Sequence, residues 1–392
     1  MKKTLPLFML LLTALTLLAG CETTSVLPVR GGSSSSFQME GDERRLWNRS
    51  EEEQKKLERS DLLYRNEELV SYVNEVARRL HPAEVHQQIA FRIVVLKNPL
   101  LNAFAYPNGV IYVHSGMIAR MENEAELATL LAHEMTHVTH RHALQQMRDL
   151  KNKAAFMATF NVLTLAAGGV GSLASLLGQV GTLAAVQGYS RELETEADTE
   201  GFGLVVAAQY DPAETGKLFL RLKEDVEERK IDEPFFFGSH PRLQERIENY
   251  EKLQTLHPGK GGMKNEAIFS RKTSTLWLID ADQNISAGNY NIAQREAERY
   301  LSQKPDDAHA HFLLGEVCRQ RNEQGDLDKA MDFYRKSIGQ DPSYANSHKA
   351  LGLLHLKKGE RPQAKEHLQQ YLILAPQAQD RAYVLEYLKQ CE

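Results

Sequence analysis

The spacing of apolar residues changes several times along this 392-residue chain, and each change predicts a different element. Leu5 to Leu18 is an almost unbroken apolar run behind Lys2 and Lys3. It is short for a membrane-crossing helix, which needs about 20 residues. Phe104, Tyr106, Ile111 and Val113 then flank Pro107-Asn108-Gly109, and Asn-Gly between alternating apolar residues predicts a β-hairpin. Leu127, Leu130, Leu131 and Val138 recur at helical spacing and predict a helix with one face in a core. Asn123 and Glu126 sit where a capping box would start that helix, each side chain able to bond the other's backbone N–H. From Ala154 to Ser190 there is no charged residue, yet glycines interrupt the run. A buried helical hairpin is the expectation there, with a mobile flap as the sharper alternative.

The carboxy-terminal third repeats itself. Leu351-Gly352, Ala364, Tyr371 and Pro376 match one tetratricopeptide unit, about 34 residues long, over 345 to 378. Leu314-Gly315, Ala330, Tyr334 and Pro342 match the unit before it, lengthened by three residues at its inter-helix turn. Trp277, Ala293, Tyr300 and Pro305 fit a third from about 274, and Ala382 to Leu388 predicts a capping helix. Such stacks bury a continuous core and leave a concave face for another protein's segment. A rigid spacer without a ligand is the bland alternative.

The predicted helix after Asn123 carries the chemistry. His133-Glu134-Met135-Thr136-His137 places two histidines four apart, on one helical face. Both imidazoles can reach one metal ion at ~2.0–2.1 Å, an ordinary zinc–nitrogen distance. Glu134 lies too far round the helix to bind the ion easily and is placed to take a proton from a metal-activated water. A catalytic zinc site needs a third protein donor. A histidine ten residues after His133 would supply it in one class, but Ala143 stands there and His140 replaces the required glycine. The remaining route is a carboxylate from a second helix. In Tyr189-Ser190-Arg191-Glu192-Leu193-Glu194-Thr195-Glu196-Ala197-Asp198, Glu194 and Asp198 share a face. Glu194 can reach the metal, and Asp198 can bond an imidazole or steady an intermediate. Glu192, Glu196 and Glu200 read as solvated charges, and His114, His140 and His142 as strand-end or surface residues.

Taken together, His-Glu-Met-Thr-His and the Ser190-Arg191 to Asp198 segment resemble the gluzincin family of Ste-type CAAX proteases and HtpX-like peptidases. Asn102-Ala103-Phe104-Ala105 through Val113-His114-Ser115-Gly116-Met117 resembles the strands before that family's zinc helix. The resemblance spans roughly residues 65 to 250. It implies one Zn2+ per chain on His133, His137 and Glu194, a general base at Glu134, and an acid at Asp198. Ser239-His240-Pro241-Arg242, with Arg246 beyond, resembles a further family landmark. It implies that His240 lies at the metal or near the scissile carbonyl, as a cap or an oxyanion donor. A turn histidine before proline is the plain reading of the same residue.

The amino terminus suggests a location. Lys2-Lys3 and the apolar run read as a secretory signal, and Leu18-Ala19-Gly20-Cys21 resembles a bacterial lipobox with lipid on Cys21. Glu22 after the cysteine favours the outer membrane by general sorting habits. Gly31-Gly32-Ser33-Ser34-Ser35-Ser36 reads as a flexible leash. A formal net charge of −5 argues against nucleic acid, whose binding needs clustered positive charge. Three cysteines are too few for a disulfide framework. Cys318 and Cys391 fall in separate elements, which argues against their pairing.

The expected chain is therefore a signal peptide (1–20), a linker (21–41), an α+β, mostly helical zincin-type metallopeptidase domain (42–255) and an all-α repeat array (270–392). In layout it resembles the periplasmic beta-barrel assembly-enhancing proteases. That implies a lipid-anchored endopeptidase on the periplasmic side of the outer membrane, acting on misfolded or misassembled outer-membrane proteins. The repeats would dock onto assembly machinery. The competing expectation is a chaperone or assembly scaffold with a silenced zinc site, although a purely structural site has no need of Glu134.

Overall fold

The computed structural model describes residues 24, 26–30, 37–152, 189–229, 243–257 and 261–392. The expectations for the signal run, Cys21, the serine-rich leash, residues 154–188 and His240 lie outside the described residues.

The amino-terminal domain starts with helices α1 (Gly41–Glu58), α2 (Glu67–Leu80) and α3 (Ala83–Gln88). Strands β1 (Arg92–Leu96), β2 (Ala103–Ala105) and β3 (Val110–His114) follow and form one sheet in the order β1-β3-β2. The hairpin is present: β2 pairs antiparallel with β3, Ala103 opposite Val113 and Ala105 opposite Ile111. Gly109 has φ +90, and a Cβ there would lie 2.7 Å from the Ile89 side chain, so the turn needs glycine. β1 lies parallel on the other side of β3, a partner that the hairpin pattern alone does not reveal.

Both sheet faces are covered. Ile93, Val95, Ala103, Ala105, Ile111 and Val113 enter the main core, while Val94, Leu96, Tyr106, Val110 and Tyr112 pack on Leu57 and Leu63. The hairpin tip is held by α1, since Gln54 Nε2 donates to Asn108 Oδ1 at 2.8 Å and Tyr106 Oη donates to Glu53 at 3.1 Å. β2 is left as an edge of the sheet.

After the short α4 (Ser115–Ala119) comes the central helix α5 (Glu124–Thr139). Asn123 Oδ1 accepts from the Glu126 N–H at 3.0 Å, as a cap should. The reciprocal half of the box is absent: the Glu126 carboxylate takes the Glu122 N–H at 3.2 Å and the Arg221 guanidinium at 2.9 Å. Every residue of α5 is buried, so a one-sided apolar stripe understates its position. The reason lies in its anchoring. Glu124, at its first turn, accepts from Tyr72 Oη (2.7 Å), Tyr210 Oη (2.8 Å), Arg79 (2.7 Å) and Asn265 (2.7 Å). Helices α6 (Arg191–Ala207), α7 (Lys217–Arg229) and α8 (Leu243–Leu256) complete the domain, with α6 packed along α5.

The second part is a stack of helical pairs: α9 (Glu266–Ser286) with α10 (Tyr290–Leu301), α11 (Ala308–Arg321) with α12 (Asp326–Gln340), and α13 (Ala345–Lys357) with α14 (Arg361–Leu374). Helix α15 (Arg381–Lys389) covers the last pair. Gly315 is required by packing, because a Cβ there would sit 2.4 Å from the Tyr334 ring. Cys318 and Cys391 are free and buried in different clusters. No helix among the described residues is long and apolar enough to cross a membrane.

The two parts are knotted together. Arg120, buried just after α4, donates to Asp225 of α7, Asp280 of α9 and Glu296 of α10, all buried. Arg299 of α10 reaches back to the carbonyls of Ala119 (2.9 Å) and Met121 (2.8 Å), with its guanidinium 4.1 Å from the Trp277 ring centroid.

Candidate metal centre

Helix geometry sets the first two donors and helix packing sets the third. His133 and His137 stand one turn apart on α5, their Nε2 atoms 3.0 Å from each other. From α6, Glu194 Oε1 lies 3.4 Å from His137 Nε2 and Oε2 lies 3.5 Å from His133 Nε2. All three side chains are buried, and their donor atoms lie within 4.8 Å of one another. Zinc bonds of ~2.0–2.1 Å at tetrahedral angles put neighbouring donors about 3.3–3.4 Å apart. Two neutral nitrogens and one carboxylate at this spacing fit a divalent zinc-type cation.

The approach of α6 to α5 depends on a missing side chain. A Cβ at Gly201 would lie 3.1 Å from the His133 nitrogen and 3.2 Å from the Ala132 carbonyl carbon. Glycine lets the two backbones come together, and that closeness brings Glu194 to the histidines.

The far side of His133 is equally built. Its Nδ1 lies 2.9 Å from Asp198 Oδ1. Arg246, from α8, donates to the same carboxylate through Nη2 at 2.6 Å and Nε at 3.2 Å. Arg246 Nη2 is also 2.9 Å from His133 Nδ1. With Nε2 turned to the metal position, Nδ1 carries the proton and donates to Asp198, so the arginine serves the carboxylate rather than the ring. Burial pushes the Asp198 carboxyl upward, but the Arg246 charge and the bonds from His133 and Arg246 outweigh it and hold it below the usual range. The guanidinium stacks 4.2 Å over the Phe219 ring.

Residues 64–254 match the model of Peptidase family M48, and residues 284–345 and 321–385 match two models of the tetratricopeptide repeat. This chain joins an M48 peptidase domain to tetratricopeptide repeats. The assignment is to M48 as a whole, broader than the Ste-type and HtpX-like labels. The chain is 25% identical over 243 residues to the beta-barrel assembly-enhancing protease of Escherichia coli, covering 59% of this chain and 50% of that protein. It is 27% identical over 225 residues to the protein of the same name from Yersinia pestis, covering 55% and 45%. A mitochondrial metalloendopeptidase of Schizosaccharomyces pombe is 30% identical over 185 residues, covering 46% of this chain and 52% of the relative. The chain thus spans about half the length of the curated relatives it matches.

Around the M48 motif the structure brings in residues to which sequence reasoning assigned no part in the site. Tyr189 stacks on His137 with ring centroids 4.1 Å apart and an interplanar angle of 14°. Burial and the nearby Glu134 and Glu194 charges push its phenol up and keep it protonated. His114 is the buried last residue of β3, a strand end as expected, whereas His140 and His142 are buried and not surface residues. His114 packs edge-on against Phe104, and burial pushes it down to about 4. His142 lies directly behind His137, its Nδ1 2.8 Å from His137 Nδ1, and burial pushes it down to about 3. Glu196, read as a solvated charge, is exposed but reaches within 3.4 Å of His142 Nε2. No periodicity signals His142, because its position depends on the turn that follows α5.

Proposed function

We propose that this chain is a zinc-dependent endopeptidase of the bacterial cell envelope that acts on misfolded or misassembled outer-membrane proteins. The observation that carries the enzymatic reading is the convergence of His133, His137 and Glu194 beside Glu134 on a fully buried helix. His133, His137 and Glu194 would hold the ion. When bound, zinc supplies a Lewis acid and acidifies water from 15.7 toward ~7.

The chain's own groups do the rest. Glu134 takes the proton from the attacking water and delivers it to the leaving amine. Asp198, kept ionised by Arg246, fixes the proton on His133 Nδ1 and so keeps Nε2 free to bind the ion. The outer edge of β2 offers backbone groups to an extended substrate by strand addition. Nothing in this set reads substrate side chains, so specificity falls to the groove walls and to the repeats.

The envelope setting is supported by the lipobox-like Leu18-Ala19-Gly20-Cys21, which would place lipid on Cys21 at the periplasmic side of the outer membrane. Substrates among outer-membrane proteins are supported by the likeness to the beta-barrel assembly-enhancing proteases of Escherichia coli and Yersinia pestis, and an assembly-machinery partner at the repeat face by the tetratricopeptide repeats together with that likeness. His240 is proposed, from the resemblance alone, as a group at the metal or the scissile carbonyl.

Glu134→Gln tests the reading directly. The variant should retain zinc by elemental analysis while losing cleavage of an unfolded outer-membrane protein. Full cleavage by the variant would remove Glu134 as the base, whereas full cellular function in a variant that no longer cleaves would replace the enzyme with a scaffold.

A further inference from the structure

The turn after α5 is built to aim a side chain. Thr139 ends the helix, His140 caps it, and Arg141 has φ 57, in the left-handed region. Glycine commonly fills that position, because a Cβ is disfavoured there. Arginine stays because its side chain is gripped from outside. Arg141 Nε and Nη2 donate to Glu43 Oε1 and Oε2 at 2.9 and 2.5 Å, and Nη2 also reaches Glu40 at 3.3 Å. Its guanidinium lies 5.5 Å from the Phe37 ring centroid. The amino-terminal segment thus holds the turn in a conformation that the residue itself resists.

The product of the turn is the direction of His142. Residues 142–152 resume as helix, and the reversal points the His142 ring back at α5. Its Nδ1 meets His137 Nδ1 at 2.8 Å, with the rings nearly perpendicular at 78°. His137 turns Nε2 toward Glu194, so its proton sits on Nδ1 and is donated to His142. His142 then carries its own proton on Nε2, 3.4 Å from Glu196 Oε2. With Tyr189 stacked on its face, the His137 ring is fixed in both tilt and tautomer.

We propose that His142 is a positioning residue for the metal donor His137, set in place by Glu43 and Glu40 clamping Arg141 in the left-handed turn. This rests on the reading of His133, His137 and Glu194 as metal donors. His142 does for His137 what Asp198 does for His133, with a neutral acceptor in place of a carboxylate.

The test uses the full chain with Zn2+ in chelator competition and Co2+ as a spectroscopic probe. His142→Ala should weaken zinc binding by about 10–100-fold, the usual cost of losing such a partner, and shift the cobalt ligand-field bands. His142→Gln, whose side-chain oxygen can accept from Nδ1, should recover most of both. Glu43→Ala should also weaken zinc binding, but should add little in an Arg141→Gly background, where no Cβ opposes the turn. Should His142→Ala fail to fold, His142→Leu fills the space without an acceptor and carries the same expectation. Equal zinc affinity and unchanged cobalt bands in a folded acceptor-free variant would overturn the proposal. So would an equal cost of Glu43→Ala in both backgrounds. If the parent chain itself bound no stoichiometric zinc, the donor reading would fail first and take this inference with it.

Discussion

Asp198 Oδ1 lies 2.9 Å from His133 Nδ1, one helical turn along α6 from Glu194, whose carboxylate faces the other nitrogen of the same ring. One helix therefore grips both ends of one imidazole. The i,i+4 spacing that puts Glu194 and Asp198 on one face does this without any loop.

Removing the outer grip should be costly. In Asp198→Ala the buried Arg246 guanidinium loses the carboxylate it serves, and breaking a buried pair from one side costs about 3–5 kcal/mol. Urea unfolding should register that loss, together with weaker zinc retention. A loss below about 1 kcal/mol would mean that Arg246 finds another partner and that the pair is not a structural keystone.

Gly201→Ala probes the helix contact. The new Cβ would meet backbone atoms of Ala132 and His133 at 3.2 and 3.1 Å, and backbone cannot swing aside as a side chain can. Overpacking of this kind typically costs about 1–3 kcal/mol. Because the strain falls between Glu194 and its partners, zinc affinity should drop along with stability. Stability falling while zinc affinity stays unchanged would show that the α5–α6 spacing does not set the donor distances.

The junction should respond to pH. Asp225, Asp280 and Glu296 all face Arg120, with Arg295 and Arg299 beside them. Burial raises the Glu296 carboxyl well above its ordinary range, more than Arg120 lowers it, and Asp280 raises it further. The folded chain then holds a proton at pH values where the unfolded chain has released it. Stability should therefore rise as pH falls from neutral toward the ordinary carboxylate range of about 4.3, and gain nothing more from this group below it. Comparing urea midpoints at pH 7.5 and 5.5, the Glu296→Gln variant should lack the part of the slope that the parent shows. Identical slopes would mean that Glu296 stays ionised.

What the sequence disclosed follows from locality. The His133–His137 and Glu194–Asp198 spacings and the Leu-Gly positions of the repeats are properties of single helices, and a helical period exposes them. Gly315 and Gly352 could be placed because each repeat meets its neighbour in the same way. The parallel partner β1, the full burial of α5 and the knot around Arg120 come from segments far apart in the chain, which no local period records. His142 is the sharpest case. It sits five residues from His137, yet only a left-handed Arg141, held by Glu43 nearly a hundred positions earlier, turns it inward.

The Arg120 knot bears on how the protein would handle a client. With three acids from α7, α9 and α10 converging on one guanidinium, the repeats are no loose tether swinging beside the cleft. On the proposed function, a polypeptide captured by the repeats would be held at a set distance and angle from His133 and His137. Reach along the captured chain, rather than local preference for particular residues, would then choose the bond that is cut.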